Sequence, residues 1–135
     1  MATDIRAALL VIGQRPANDS KLHLPLDLRG VHLRGADLVG ANFEGVWLDE
    51  AVLTGANLTD ANLKNATLRN VNLEAATLSS ANFAATDLSG ARLQRANFYE
   101  AVMLDCDLSG AHLSGALNLD DRQLKTTSGQ PASFP

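Results

Sequence analysis

The sequence holds one cysteine, Cys106, and aromatic residues make up only 4% of its 135 positions. A lone cysteine excludes an intramolecular disulfide framework and any multi-cysteine zinc site, and it suits a reducing compartment, which makes the cytoplasm the default location. Basic residues are not in excess, since the formal net charge is −4; a general nucleic-acid-binding or anionic-membrane surface needs the opposite balance. Long apolar runs are missing as well. The longest, Ala7 to Ile12, is far short of the roughly 20 residues of a membrane helix, so no membrane insertion is expected, and no basic leader with a cleavage site accompanies it. With few aromatic anchors, the core has to be assembled from many small, uniform units of leucine and alanine.

Those units are visible as a period of five. Taking Leu28 as a central position, the frame runs unbroken through eighteen repeats to Leu113, with fourteen leucines, Phe43, Phe83, Phe98 and Met103 at the centres. Between residues 26 and 115 only Leu26 and Leu104 among the leucines fall outside it, so leucine abundance does not account for the pattern. Two residues before each centre stands a small residue, alanine at twelve of eighteen positions. Residues two apart on an extended segment share a face, so the small residue and the centre point inward together while the residue between them points outward. Asparagine or aspartate fills ten of those eighteen outward positions. Eight of the ten glycines occupy the last position of a repeat, where a corner needs permissive backbone angles. A sustained period of five fits neither a helix nor a long strand. The chain must turn every five residues, and stacked coils can then pair their backbone groups and bury the leucines.

Segments such as Ala36-Asp37-Leu38-Val39-Gly40, Ala56-Asn57-Leu58-Thr59-Asp60 and Ala61-Asn62-Leu63-Lys64-Asn65 resemble the A(D/N)LXX unit of the pentapeptide-repeat family. The resemblance covers about two thirds of the chain and implies an all-β fold, a right-handed quadrilateral β-helix with four repeats per coil. Eighteen repeats would then make about four and a half coils, a rod roughly 22 Å long at about 4.8 Å per coil. The organisation expected is an N-terminal capping helix and linker over 1–25, the repeat β-helix over 26–115, and a C-terminal cap with a disordered tail over 116–135. Thr3 is a candidate N-cap for a helix through about Ile12, with Ile5, Leu9 and Ile12 on one stripe, Gly13 as terminator and Pro16 beyond it. At the other end Leu117, Leu119 and Leu124 leave the five-residue frame, and Asn118-Leu119-Asp120-Asp121 is the expected opening of a short helix. Open solenoid ends need such covers.

The frame also sorts the reactive residues. Cys106 takes the small inward position and reads as a buried, inert thiol. His32 and His112 point outward on one side of the square, four coils or roughly 19 Å apart, which forbids a shared metal or acid–base role; His23 lies outside the repeats. No catalytic residues, cofactor or metal ligands are expected. On the family's geometry the first side, that of Leu28, and the third, that of Leu38, are each acidic by three; the second, that of Leu33, is basic by two and the fourth, that of Phe43, is nearly neutral. Outward Trp47, Tyr99, Val102 and Leu104 are apolar residues that a solvated rod does not need, and the last three fall in consecutive repeats. The reading is a noncatalytic scaffold that binds a protein of unknown identity through these residues, self-association into a homodimer being one form of it. The resemblance also implies an alternative, because some members of the family imitate the shape and charge of DNA and bind a type II topoisomerase, typically gyrase. The residues for that role would be Asp37, Asp60 and Glu100, on a side with no basic residue.

Overall fold

A computed structural model describes residues 25–135; the expected N-terminal helix and most of its linker lie outside the described residues. From Asp27 to Asn97 the second position of each repeat pairs in parallel with the residue twenty further on, as in Asp27 with Trp47, Trp47 with Thr67, and Thr67 with Asp87. A coil therefore takes twenty residues and four repeats, which gives the resemblance's four sides a direct structural basis. Third-position side chains from Leu38 to Leu113 are at most 2% exposed, and first-position residues from Ala36 to Ala111 at most 6%. The interior is a stack of inward columns, closed where Phe83 and Phe98 meet with ring centroids 6.4 Å apart and planes inclined by 52°. Six first positions are not alanine, and two of these carry a polar or sulfur atom inward. Thr86 donates its hydroxyl to the Leu63 carbonyl at 2.7 Å, and Cys106 is fully buried.

Each repeat carries five backbone N–H groups, and in repeats with a coil on either side four have backbone partners. The first closes the corner locally (Val31 to Leu28 O), the second donates to the coil before (Trp47 to Leu26 O), and the third and fifth donate to the coil after (Leu28 to Trp47 O, Gly30 to Asp49 O). The fourth faces outward. In all ten repeats with asparagine or aspartate at the second position, that side chain accepts from the fourth-position N–H. This is an Asx turn repeated along the rod, and it explains the Asn/Asp preference. Where Thr67 stands instead, Asp49 of the preceding coil accepts from the Arg69 N–H at 2.9 Å.

Corners differ from the glycine expectation in one respect. All eighteen fifth positions have positive φ, from 54° at Ala85 to 70° at Gly30, but only eight are glycine. Ten ordinary residues, Ala75 and Ala85 among them, are held in the left-handed region, at a cost of about 1–2 kcal/mol each. Inter-coil bonds on both sides of the corner impose that conformation whatever the residue.

The C-terminal cap is helix α1, Asp121–Lys125, opened by Asp120 in a capping box with Gln123, as the motif at 118–121 leads one to expect. It takes the place of a regular rung on the fourth side. Leu119 and Leu124 pack against the core beneath it, and the Gln123 Nε2 donates to the carbonyls of Phe98 and Ala101 at 2.9 and 3.0 Å. A side chain thus meets the Ala101 carbonyl left by the missing rung, and adds a second donor to the Phe98 carbonyl, which also accepts from the Ala101 N–H. The expected disordered tail is corrected: Ser128 pairs with Asp107 and Ser133 with His112, so the chain adds a rung to the first and second sides. The offset has grown from twenty to twenty-one, because the helix uses one residue more than a repeat. This rung recruits backbone groups already waiting on the coil below, which outweighs the tail's polar composition. Pro131 and Pro135 lack N–H groups and are poor templates for any further strand.

Ala85→Gly is expected to raise unfolding stability by about 1 kcal/mol by removing a left-handed alanine, measured by urea denaturation. No gain would mean that the corner is not held at positive φ in solution.

Candidate protein-binding surface

The four outward apolar residues fall into three settings. Trp47 is 37% exposed, and the Arg29 guanidinium lies 5.1 Å from its ring centroid. Arg29 in turn pairs with Asp27 at 2.8 Å, and one coil on, Arg69 pairs with Asp49 at 2.9 Å. Trp47 is therefore set among charged neighbours on the first side, apart from the other three. Its covering arginine was not foreseen; the signal was present, since a fourth-position residue of one coil stacks beside the second position of the next.

Tyr99 is 54% exposed on the third side. Its N–H donates to Asn97 Oδ1 and its carbonyl accepts from the Ser80 N–H, so the backbone beneath the ring is fixed. Beside it a cleft of about 630 Å³ runs to the C-terminal cap, lined by Tyr99, Glu100, Asn118, Leu119, Asp120 and Arg122. Val102 and Leu104, 47% and 54% exposed, lie around the corner on the fourth side. Val102 continues a column of asparagines, pairing with Asn82, and the Leu104 carbonyl accepts from the Ala85 N–H. Sequence reasoning passed over Val39, Leu117 and Phe134, which are 47%, 53% and 62% exposed; the last two belong to the segment whose register the frame does not cover.

Charges are less available than a count by side implies. On the first side Asp27 is held down to about 2 by the hydrogen bonds and charge of Arg29. At Asp49 burial works against ionisation, but the guanidinium and N–H of Arg69 outweigh it and keep the carboxyl below its usual range. Asp107 is lowered by the hydroxyl and N–H of Ser109. On the second side Glu74 is gripped by Arg95 at 2.6 Å and Arg92 at 3.5 Å. Among the described residues, none of the four ion pairs includes Asp37, Asp60 or Glu100. Burial pushes the Cys106 thiol up to about 12, aided by the nearby charges of Asp107 and Asp87, a state unsuited to nucleophilic attack. His32 and His112 stand at opposite ends of one second-side column. Among the described residues no group of three or more His, Cys, Asp and Glu could hold a metal, and no helix is long and apolar enough to cross a membrane.

A parallel coil of five-residue units, with an apolar interior and its variation concentrated at outward positions, defines a repeat solenoid. The chain matches the family model for pentapeptide repeats, in eight copies, over residues 26–55, 36–74, 56–95 and 76–115. It belongs to the pentapeptide-repeat family, whose fold is the right-handed quadrilateral β-helix. A pentapeptide repeat protein from Nostoc PCC 7120 is similar at 25% identity and TM-score 0.57, covering 96% of this chain and 93% of that one. Rfr23 from the cyanobacterium Cyanothece 51142 shares 23% identity at TM-score 0.54, covering 84% and 97%. QnrB1, a plasmid-mediated fluoroquinolone resistance protein, shares 19% at TM-score 0.54, covering 70% and 66%. No curated protein matches the sequence.

The Asp49–Arg69 pair has a pH signature. A carboxyl depressed on folding contributes stability above its unfolded value of about 3.9, and that contribution is lost as pH falls through the folded value. Asp49→Asn is therefore expected to cost about 1 kcal/mol or less at neutral pH, and the gap to the wild type to close below about pH 4. Urea titrations across that range check it; a gap independent of pH would remove the ion pair from the account.

Proposed function

We propose that the protein is a noncatalytic scaffold that binds another protein at its C-terminal end. The observation that carries this reading is the exposure of Val102 and Leu104 on the fourth side: one to three coils earlier the second position held by Val102 is Asn82, Asn62 and Asn42, and the fourth position held by Leu104 is Ala84, Lys64 and Glu44. A rod kept soluble by that asparagine column gains nothing in stability from the change, whereas an apolar anchor inside a polar rim is the usual composition of a binding surface. The two side chains fall well short of the roughly 800 Å² per partner of a standard interface. They act as an anchor within a larger footprint, and a heterologous partner fits this better than a homodimer on these residues alone.

Leu104→Glu is expected to leave the melting temperature within about 2 °C, since the site is exposed, while abolishing capture by a photocrosslinker placed at position 102. Sedimentation of the wild type at high concentration tests the self-associating form, which a monomer would exclude. Unchanged crosslinking in the variant would remove the anchor role.

A second reading, DNA mimicry toward a type II topoisomerase, draws support from Asp37, Asp60 and Glu100 lying outside the ion pairs and from the likeness in fold to QnrB1. Against it, Asp27, Asp49 and Glu74 are neutralised by their own arginines, which breaks the continuous field that imitation of a phosphate backbone requires. A gyrase supercoiling titration separates the two readings.

A further inference from the structure

We propose that the cleft beside Tyr99 seats the arginine or lysine of an extended basic segment of a protein partner, which runs along the third side parallel to the rod axis. The proposal rests on the protein-binding reading above and names the chemistry of the partner.

The cleft exists because the chain leaves its ladder there. Residues 116–120 still follow the third side, with Leu117 paired to Asn97, but α1 replaces the next rung. The recess between them has a volume of about 630 Å³. Its walls suit a long cation. Tyr99 offers a half-exposed ring above a hydrogen-bonded backbone, and a guanidinium or ammonium over such a ring is attracted to its electron-rich face. Glu100 and Asp120 supply two carboxylates against the single positive charge of Arg122. One Asp120 oxygen is committed to the Gln123 N–H that opens α1, which leaves Glu100 as the principal ionic partner. Arg122 limits the site to one incoming cation.

Charge along the third side continues the argument. From residue 36 to residue 40, and in the stacked segments 56–60, 76–80 and 96–100, there is no lysine or arginine. The carboxylates there, Asp37, Asp60 and Glu100, take part in none of the ion pairs of the described residues, while the first and second sides hold all four. This side is complementary to a basic partner and has no arginine of its own to compete with it. The first side, whose Glu50, Asp87 and Asp107 also lie outside the ion pairs, interleaves Arg29 and Arg69 with its carboxylates. Spacing adds a requirement. Asp60 and Glu100 occupy equivalent corners two coils apart, about 10 Å, and an extended polyproline II segment, with three residues per turn at about 3.1 Å each, covers that in about three residues and returns residue i+3 to the face of residue i. The segment that fits carries basic residues at positions i and i+3, one in the cleft and one near Asp60.

The probe is a fluorescently labelled hexapeptide with two arginines three residues apart, titrated by anisotropy against the full chain at low and raised salt. A control peptide of the same composition has its arginines adjacent. The spaced peptide is expected to bind at least about threefold more tightly than the control, with Tyr99→Leu and Glu100→Gln each weakening it by about threefold. Glu50→Gln, at a corner between the first and second sides, should leave it unchanged. Equal affinity for the two peptides, an equal loss with Glu50→Gln, or no binding at low salt would each overturn the proposal. Should Leu104→Glu still abolish partner crosslinking while Tyr99→Leu leaves peptide affinity intact, this inference falls and the scaffold reading stands.

Discussion

Coil-to-coil hydrogen bonding in a register of twenty residues is the constraint on which everything else in this rod depends. It forces a corner every five residues, because four backbone N–H groups of each repeat with a coil on either side are committed to the corner or to neighbouring coils. The inward columns follow, since two residues of each unit must face a channel too narrow for more than leucine or phenylalanine beside alanine. The outward Asx residue follows too, because it meets the one amide the ladder does not use. Outside the ten corners where a non-glycine residue is held at positive φ, local preference, burial and hydrogen bonding agree, and that agreement is what allows a chain with few aromatic residues to specify a single structure.

How much of this is legible in the sequence depends on whether a feature repeats. The inward frame is, because it recurs eighteen times, and the burial of Cys106 and Thr86 follows from position alone. The helix at Asp121–Lys125 is legible through Asp120 and Gln123, a capping box spelled out locally. Left-handed corners at Ala75 and Ala85 are not, since alanine carries no sign of positive φ; the ladder imposes it from outside the repeat. The tail misleads for a related reason. Thr126 to Pro135 is polar and proline-bearing, yet the coil beneath offers a ready edge, and the one-residue gain through α1 hides the continuing register. Gln123 as a stand-in for a missing rung becomes visible only once the carbonyls of Phe98 and Ala101 are placed.

The candidate surface shows the same division. Val102 stands out against Asn42, Asn62 and Asn82 at its equivalent positions, and Leu104 against Glu44, Lys64 and Ala84, so both are readable as departures from the pattern. Trp47 departs from a column of Asp27, Thr67, Asp87 and Asp107, but Arg29 lies over its ring, a residue of the preceding coil that becomes its neighbour only in the folded chain. Counting charges by side gives two acidic faces, and the ion pairs tell them apart: the first interleaves Arg29 and Arg69 with its carboxylates, while the third has no basic residue. Specificity in such a scaffold rests on which outward residues the rod leaves unsatisfied.

The account turns on the claim that a second-position side chain supplies the partner for the fourth-position amide, and native-state hydrogen exchange tests it residue by residue. The amides of Thr59, Lys64 and Ala84, which follow Asn57, Asn62 and Asn82, should exchange far more slowly than that of Thr54, which follows Val52, while the third- and fifth-position amides of the same coils stay protected throughout. Equal exchange at Thr54 and Thr59, or unprotected third positions, would contradict the register from which the whole fold has been argued.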